Sequence, residues 1–205
     1  FRTCVLNAII WTAKMEVPQD GVKSSSNPTI QSKGKPEPIT AKPVDPKNAL
    51  FTSKLITTKT KGHAVEVKVK IKGIQNLYLT VSDGSNSYSC DWADWGLPRL
   101  IDSSGKETRL TNLKWKYAKS GWGKVQINKN CGGGPLRING KDIAYGIGTH
   151  ANSVIHYELP KNHKFVEFRC LAGIDNGGSD QQSGTQSSVQ FFVSDKPIDM
   201  PKLAR

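Results

Sequence analysis

The sequence predicts an all-β fold, a β-sandwich or jelly roll, for nearly everything after residue 49. Three observations carry that expectation. Residues 63–72 alternate strictly, with Val65, Val67, Val69 and Ile71 on one face and Glu66, Lys68, Lys70 and Lys72 on the other. Further strand-like runs follow at a spacing of roughly 10–15 residues with Gly-rich turns between them. Helix signals are nearly absent after residue 49.

The elements follow in chain order. Residues 1–16, FRTCVLNAIIWTAKME, read as an amphipathic helix striped by Val5, Ala8, Ile9 and Thr12 and closed by Pro18. Residues 18–48 hold six of the 11 prolines among Ser, Lys, Thr and Gln, the composition of an extended tether. After the alternating strand come the run LYLTV at 77–81 and a short strand at 98–101. Leu136-Arg137-Ile138 leads into the hairpin turn Asn139-Gly140. Residues 154–159, 165–172 and 188–193 complete the set.

Composition narrows the class. The 205 residues are 36% hydrophobic with a mean hydropathy of −0.47. No stretch approaches the ~20 apolar residues of a membrane-spanning helix, and no heptad or Gly-X-Y repeat occurs. Lys and Arg number 29 against 17 Asp and Glu, a net +12. Residues 1–60 carry +5 of it and the remainder +7, so no single element concentrates the charge. The lysines of the alternating strand lack the interleaved aromatics of an RNA-binding sheet, and neither nucleic acid nor a membrane is expected as a partner. No nucleophile elbow, P-loop or dinucleotide fingerprint is present. Cys4, Cys90, Cys131 and Cys170 form no CxxC pair. They read as buried thiols, or as one Cys90–Cys131 disulfide if the protein is exported.

Three polar and aromatic segments stand apart from the periodic runs. They are Ser89-Cys90-Asp91-Trp92-Ala93-Asp94-Trp95, taken as a loop; LKWKYAKSGWGKV at 113–125 with NCGGGPL at 130–136; and LRINGKDIAYGIGTHANSVIHY at 136–157 with GIDNGGSDQQSG at 173–184. Together they resemble the NPCBM/NEW2 domain, also called carbohydrate-binding module family 51, which accompanies glycoside hydrolases including family 98. The run GIGTHANS is its most specific part, and the resemblance spans about residues 60–195. In that family the Asp-x-Ala-Asp-Trp segment falls near the C-terminus. Here it comes first, so the motif order resembles a circular permutation, and Trp92 stands where many relatives have His. The first 18 residues resemble the last helix of a ThuA-like domain. On this reading residues 1–17 are the remnant of a linked domain, 18–48 a linker, and 49–198 a galactose-binding-like sandwich.

The resemblance implies a non-catalytic module tethering a glycan-active partner domain to galactose-containing glycans, secreted, periplasmic or on a bacterial surface. The alternative is a structural or protein-interaction sandwich in a multidomain enzyme. Sugar recognition needs a ring for the apolar face of a pyranose and polar groups for its hydroxyls. Trp122, between two glycines, is either that ring or a plug for the end of the core. Trp92 and Trp95, three apart, are expected to face opposite ways, Trp95 inward. His150, Asn152, Asp175 and Asn176 are the candidate polar partners, His150 being equally readable as structural. Asp91 and Asp94 are candidate ligands for a structural Ca2+, although the loop acids also read as turn formers.

Overall fold

The computed structural model describes residues 41–181 and 186–200. The expected N-terminal helix and most of the tether lie outside the described residues. Fourteen strands are described. They are β1 (Phe51–Thr52), β2 (Ile56–Thr57), β3 (Ala64–Lys70), β4 (Asn76–Ser82), β5 (Trp92–Asp102), β6 (Glu107–Arg109) and β7 (Tyr117–Lys119) in the first half. β8 (Gln126–Ile127), β9 (Arg137–Ile138), β10 (Lys141–Asp142), β11 (Gly146–His150), β12 (Ser153–Glu158), β13 (Phe165–Ile174) and β14 (Ser188–Ser194) follow. The one α-helical segment among them is a single turn, α1 (Asn176–Ser179).

Two antiparallel sheets pack face to face. The first runs β1-β14-β4-β12-β7 with β2 also on β14, and the second runs β3-β13-β5-β11-β8 with β6 also on β5. The expected all-β sandwich is therefore the observed architecture. The alternation along β3 has the expected sense, with Val67 and Val69 buried and Lys68 and Lys70 exposed. Leu77, Leu79, Val81, Ile155, Phe191 and Val193 of the first sheet meet Val67, Val69, Trp95, Ile147, Phe168 and Ala172 of the second. Trp95 is the largest side chain in this core, with Phe191 edge-on at 4.9 Å between centroids. The Asn139-Gly140 turn joins β9 to β10 with both residues at positive φ, 49° and 75°.

Residues 89–95 do not form the expected loop. Most of this segment is the start of β5, an eleven-residue strand that pairs with both β13 and β11. Apolar and acidic residues alternate too irregularly there to show a period of two, because both faces of this strand are covered. Pro98 can sit inside it because the register slips between Arg169 and Leu171 of β13, so no ladder donor is needed at that point. The two ends of the domain adjoin: β1 pairs with β14, and Val44 bridges to Ile198. Adjacent ends are the geometric condition for a permuted strand order.

Candidate glycan-binding site

The end of the sandwich where β4, β7, β11 and β13 finish and β5, β12 and β14 begin carries the aromatic loops. Trp122 lies on the loop from β7 to β8 and is 52% exposed. Its two glycines are required by close approach. A Cβ on Gly121 would overlap the Ala151 carbonyl, and one on Gly123, at φ +63°, would overlap the Cys131 carbonyl. The loop is stitched to the end of β11. Gly121 N donates to His150 O at 3.1 Å, while Ser120 Oγ accepts from His150 N at 3.0 Å and donates to Trp122 O at 2.5 Å.

Trp92 leaves the sheet on the face opposite Trp95, as alternation on a strand dictates. Its ring sits in a slot of glycines: a Cβ on Gly132 or Gly177 would come within 2.5 Å of the indole. That slot fixes the ring beneath Trp122, with centroids 5.3 Å apart and planes inclined by 31°. His150 meets Trp122 and Tyr88 edge-on, each at 6.0 Å. The His150 ring is almost fully buried, and burial depresses its pKa, so it is neutral at pH 7. Its Nδ1–H donates to the Ala151 carbonyl, which leaves Nε2 as an acceptor. Tyr88, Cys90, Trp92, Trp122, His150 and Gln181 line an open cavity of 230 Å³.

Three expected partners are elsewhere. Asn152 pairs reciprocally with Asp83, accepting from its backbone N–H and donating to its carboxylate, both at 3.0 Å. It faces a different cavity, of 460 Å³, beside Ser82, Gln190 and Phe192. Asp175 is wholly buried and caps α1. It accepts from Gly177 N at 2.7 Å, Arg137 N at 2.9 Å and Asn130 Nδ2 at 3.0 Å. Asn176 accepts from Gly140 N and donates to Asp180, both at 2.8 Å. Their side-chain hydrogen bonds hold loops together. Tyr88 and Gln181 were not foreseen. A single aromatic in the polar run DGSNSYS could have signalled Tyr88, whereas nothing marks Gln181.

Asp91 and Asp94 flank Trp92 in sequence but are completely buried. Asp91 accepts from Ser188 N at 2.8 Å through Oδ1, and burial, with a contribution from nearby Asp83, pushes its pKa up to about 8. Burial beside Asp175 raises the Asp94 carboxyl well above the usual range. Calcium takes six to eight oxygen ligands. Among the described residues no group of three or more His, Cys, Asp or Glu side chains gathers to hold a metal ion, so these two carboxyls do not by themselves fit one. The Cys90–Cys131 disulfide is not formed either. Cys131 is a buried free thiol, and Cys90 Sγ turns instead toward Gln181 Oε1 at 3.5 Å.

The comparisons with known proteins bear directly on this geometry. The NPCBM/NEW2 domain model matches residues 44–101 and 106–198. The chain belongs to the NPCBM/NEW2 family. Domains of this family are non-catalytic, carbohydrate-binding modules associated with glycosidases. Over 71 residues the chain is 36% identical to alpha-1,3-galactosidase B of Akkermansia muciniphila, a stretch covering 35% of this chain and 8% of that relative's length. No solved structure matches. Within this NPCBM/NEW2 module the sandwich supplies the frame, and the loops at one end supply the rings.

Proposed function

We propose that this module binds galactose-containing glycans through Trp122 and so holds a covalently linked, glycan-active domain at its substrate, outside a bacterial cell or in its periplasm. The observation that carries the reading is a half-exposed indole locked at the rim of a cavity by two obligatory glycines and backed by Trp92. The CH face of a pyranose would lie on Trp122. His150 Nε2 would accept from a sugar hydroxyl, and Tyr88 and Gln181 would close the sides. The module would act by raising the local concentration of the tethered domain at the glycan. The galactosidase in the name of the partial relative favours a galactose-containing ligand. Titration with galactose and galactose-terminated glycans should shift the tryptophan fluorescence of the wild type and not that of Trp122→Ala. An unchanged wild-type spectrum with every such glycan at millimolar concentration would overturn the proposal.

A further inference from the structure

We propose that the aromatic cavity is one half of a two-part site, whose second half makes the module select an oligosaccharide over a single sugar. The inference rests on the Trp122 cavity being a glycan site. A second cavity, of 270 Å³, lies beside the first and is lined by Arg137, Gly177, Asp180 and Gln181 among others. Gln181 also lines the first, so the two share a wall. The Gly177 backbone of the second cavity presses on the Trp92 indole of the first, where a Cβ would sit 2.5 Å from the ring. Each cavity alone falls below the ~300 Å³ at the lower end of sites for drug-sized ligands, and the two joined exceed it.

The chemistry of the second cavity complements that of the first. No aromatic ring among the described residues lines it. Its Asn130 amide donates both hydrogens internally and Asn176 donates one and accepts one, while three further groups also keep capacity. Among the described residues Arg137 has one loose ion pair, 3.5 Å to the exposed Asp142, and keeps donors of its fork for a ligand. Asp180 receives Asn176 Nδ2 and Ser179 Oγ on Oδ1, while Oδ2 has no partner among the described residues. Gln181 donates one amide hydrogen to Gly177 O at 2.6 Å and accepts the Cys90 thiol, which leaves a second amide hydrogen and a lone pair. A charged donor, a charged acceptor and an amide between them suit the neighbouring hydroxyls of a neutral sugar. The opposite charges of Arg137 and Asp180 give no preference for an anionic substituent. One ring would stack on Trp122 while the next is held edge-on by hydrogen bonds alone.

Isothermal titration of the full chain with galactose and with galactose-terminated disaccharides of α1,3, β1,3 and β1,4 linkage tests this. At least one disaccharide should bind about ten-fold more tightly than galactose, the scale of one hydrogen bond to a charged group. In Arg137→Ala that ratio should fall to about one, and Asp180→Asn, which keeps Oδ1 for Asn176, should lower it independently of any folding defect in the first variant. Equal affinity for galactose and every disaccharide, or a ratio unchanged in both variants, would overturn the two-part site while leaving the Trp122 reading intact. Failure to bind any of these sugars would instead overturn both.

Discussion

Two clusters occupy the same end of the sandwich and differ in what their polar and aromatic groups have left over. Around Trp122 and Tyr88, rings are exposed with Trp92 partly buried beneath them, and the neutral His150 keeps an acceptor. Around Asp175, the carboxylate is fully enclosed and receives hydrogen bonds from two backbone N–H groups and an amide. The first cluster leaves ring faces and an acceptor that the protein itself does not use. The second replaces a hydrophobic contact as the clamp between α1, the β8–β9 loop and β9. Residual hydrogen-bonding capacity, rather than polarity, distinguishes the Trp122 cluster from Asp175.

The largest effect should come from breaking the clamp. Asp175→Ala leaves three donors without their acceptor, each costing about 1–3 kcal/mol when buried. The expected loss is about 3–5 kcal/mol, a fall in Tm on the order of 10 °C for a domain of this size. Thermal unfolding followed by circular dichroism reads it directly. A Tm within about 2 °C of wild type would mean that Asp175 is not a clamp, and the contrast between the clusters would collapse.

That contrast explains how much was legible beforehand. The sandwich was, because β3, β12 and β14 carry periodic apolar residues and Asn139-Gly140 is a turn with few alternatives. The division of labour between Trp92 and Trp95 followed from their odd spacing. β5 was not legible as a strand, since burial on both faces erases the alternation. Asp175 and Asn176 could not be told from ligand residues, because their partners Asn130, Arg137 and Gly140 are 36 to 45 positions away in the chain. Gln181 was invisible for the converse reason: only the shape of two adjoining cavities singles it out.

Trp122→Ala should show the opposite pattern to Asp175→Ala. Truncating an exposed ring at the centre of a binding site costs about 2 kcal/mol of affinity, roughly 30-fold, whereas surface changes leave stability within about 0.5 kcal/mol. Glycan affinity should therefore collapse with Tm almost unmoved. A large Tm loss in this variant would make Trp122 a plug of the core. Gly121→Ala should sit between the two. Its methyl has no room against the Ala151 carbonyl, so the loop must move, at a cost of about 1–3 kcal/mol. Both Tm and affinity should fall, and an affinity loss without a Tm change would show that the loop yields without strain.

The smallest effect separates the clusters by protonation. His150 is depressed below its ordinary pKa of 6.5 by burial, against the opposing hydrogen bond to Ala151. A histidine with a lowered folded pKa binds fewer protons folded than unfolded. Its contribution to stability is therefore present above pH 6.5 and is lost as pH falls below that value. Binding should follow the folded pKa, since protonation removes the Nε2 acceptor. Affinity for the glycan should be level from pH 8 to 6.5 and decline only below, with His150→Gln abolishing the decline. A midpoint at or above 6.5 would mean that the ring is solvated, and the acceptor would then have to be sought in Gln181, whose amide does not titrate.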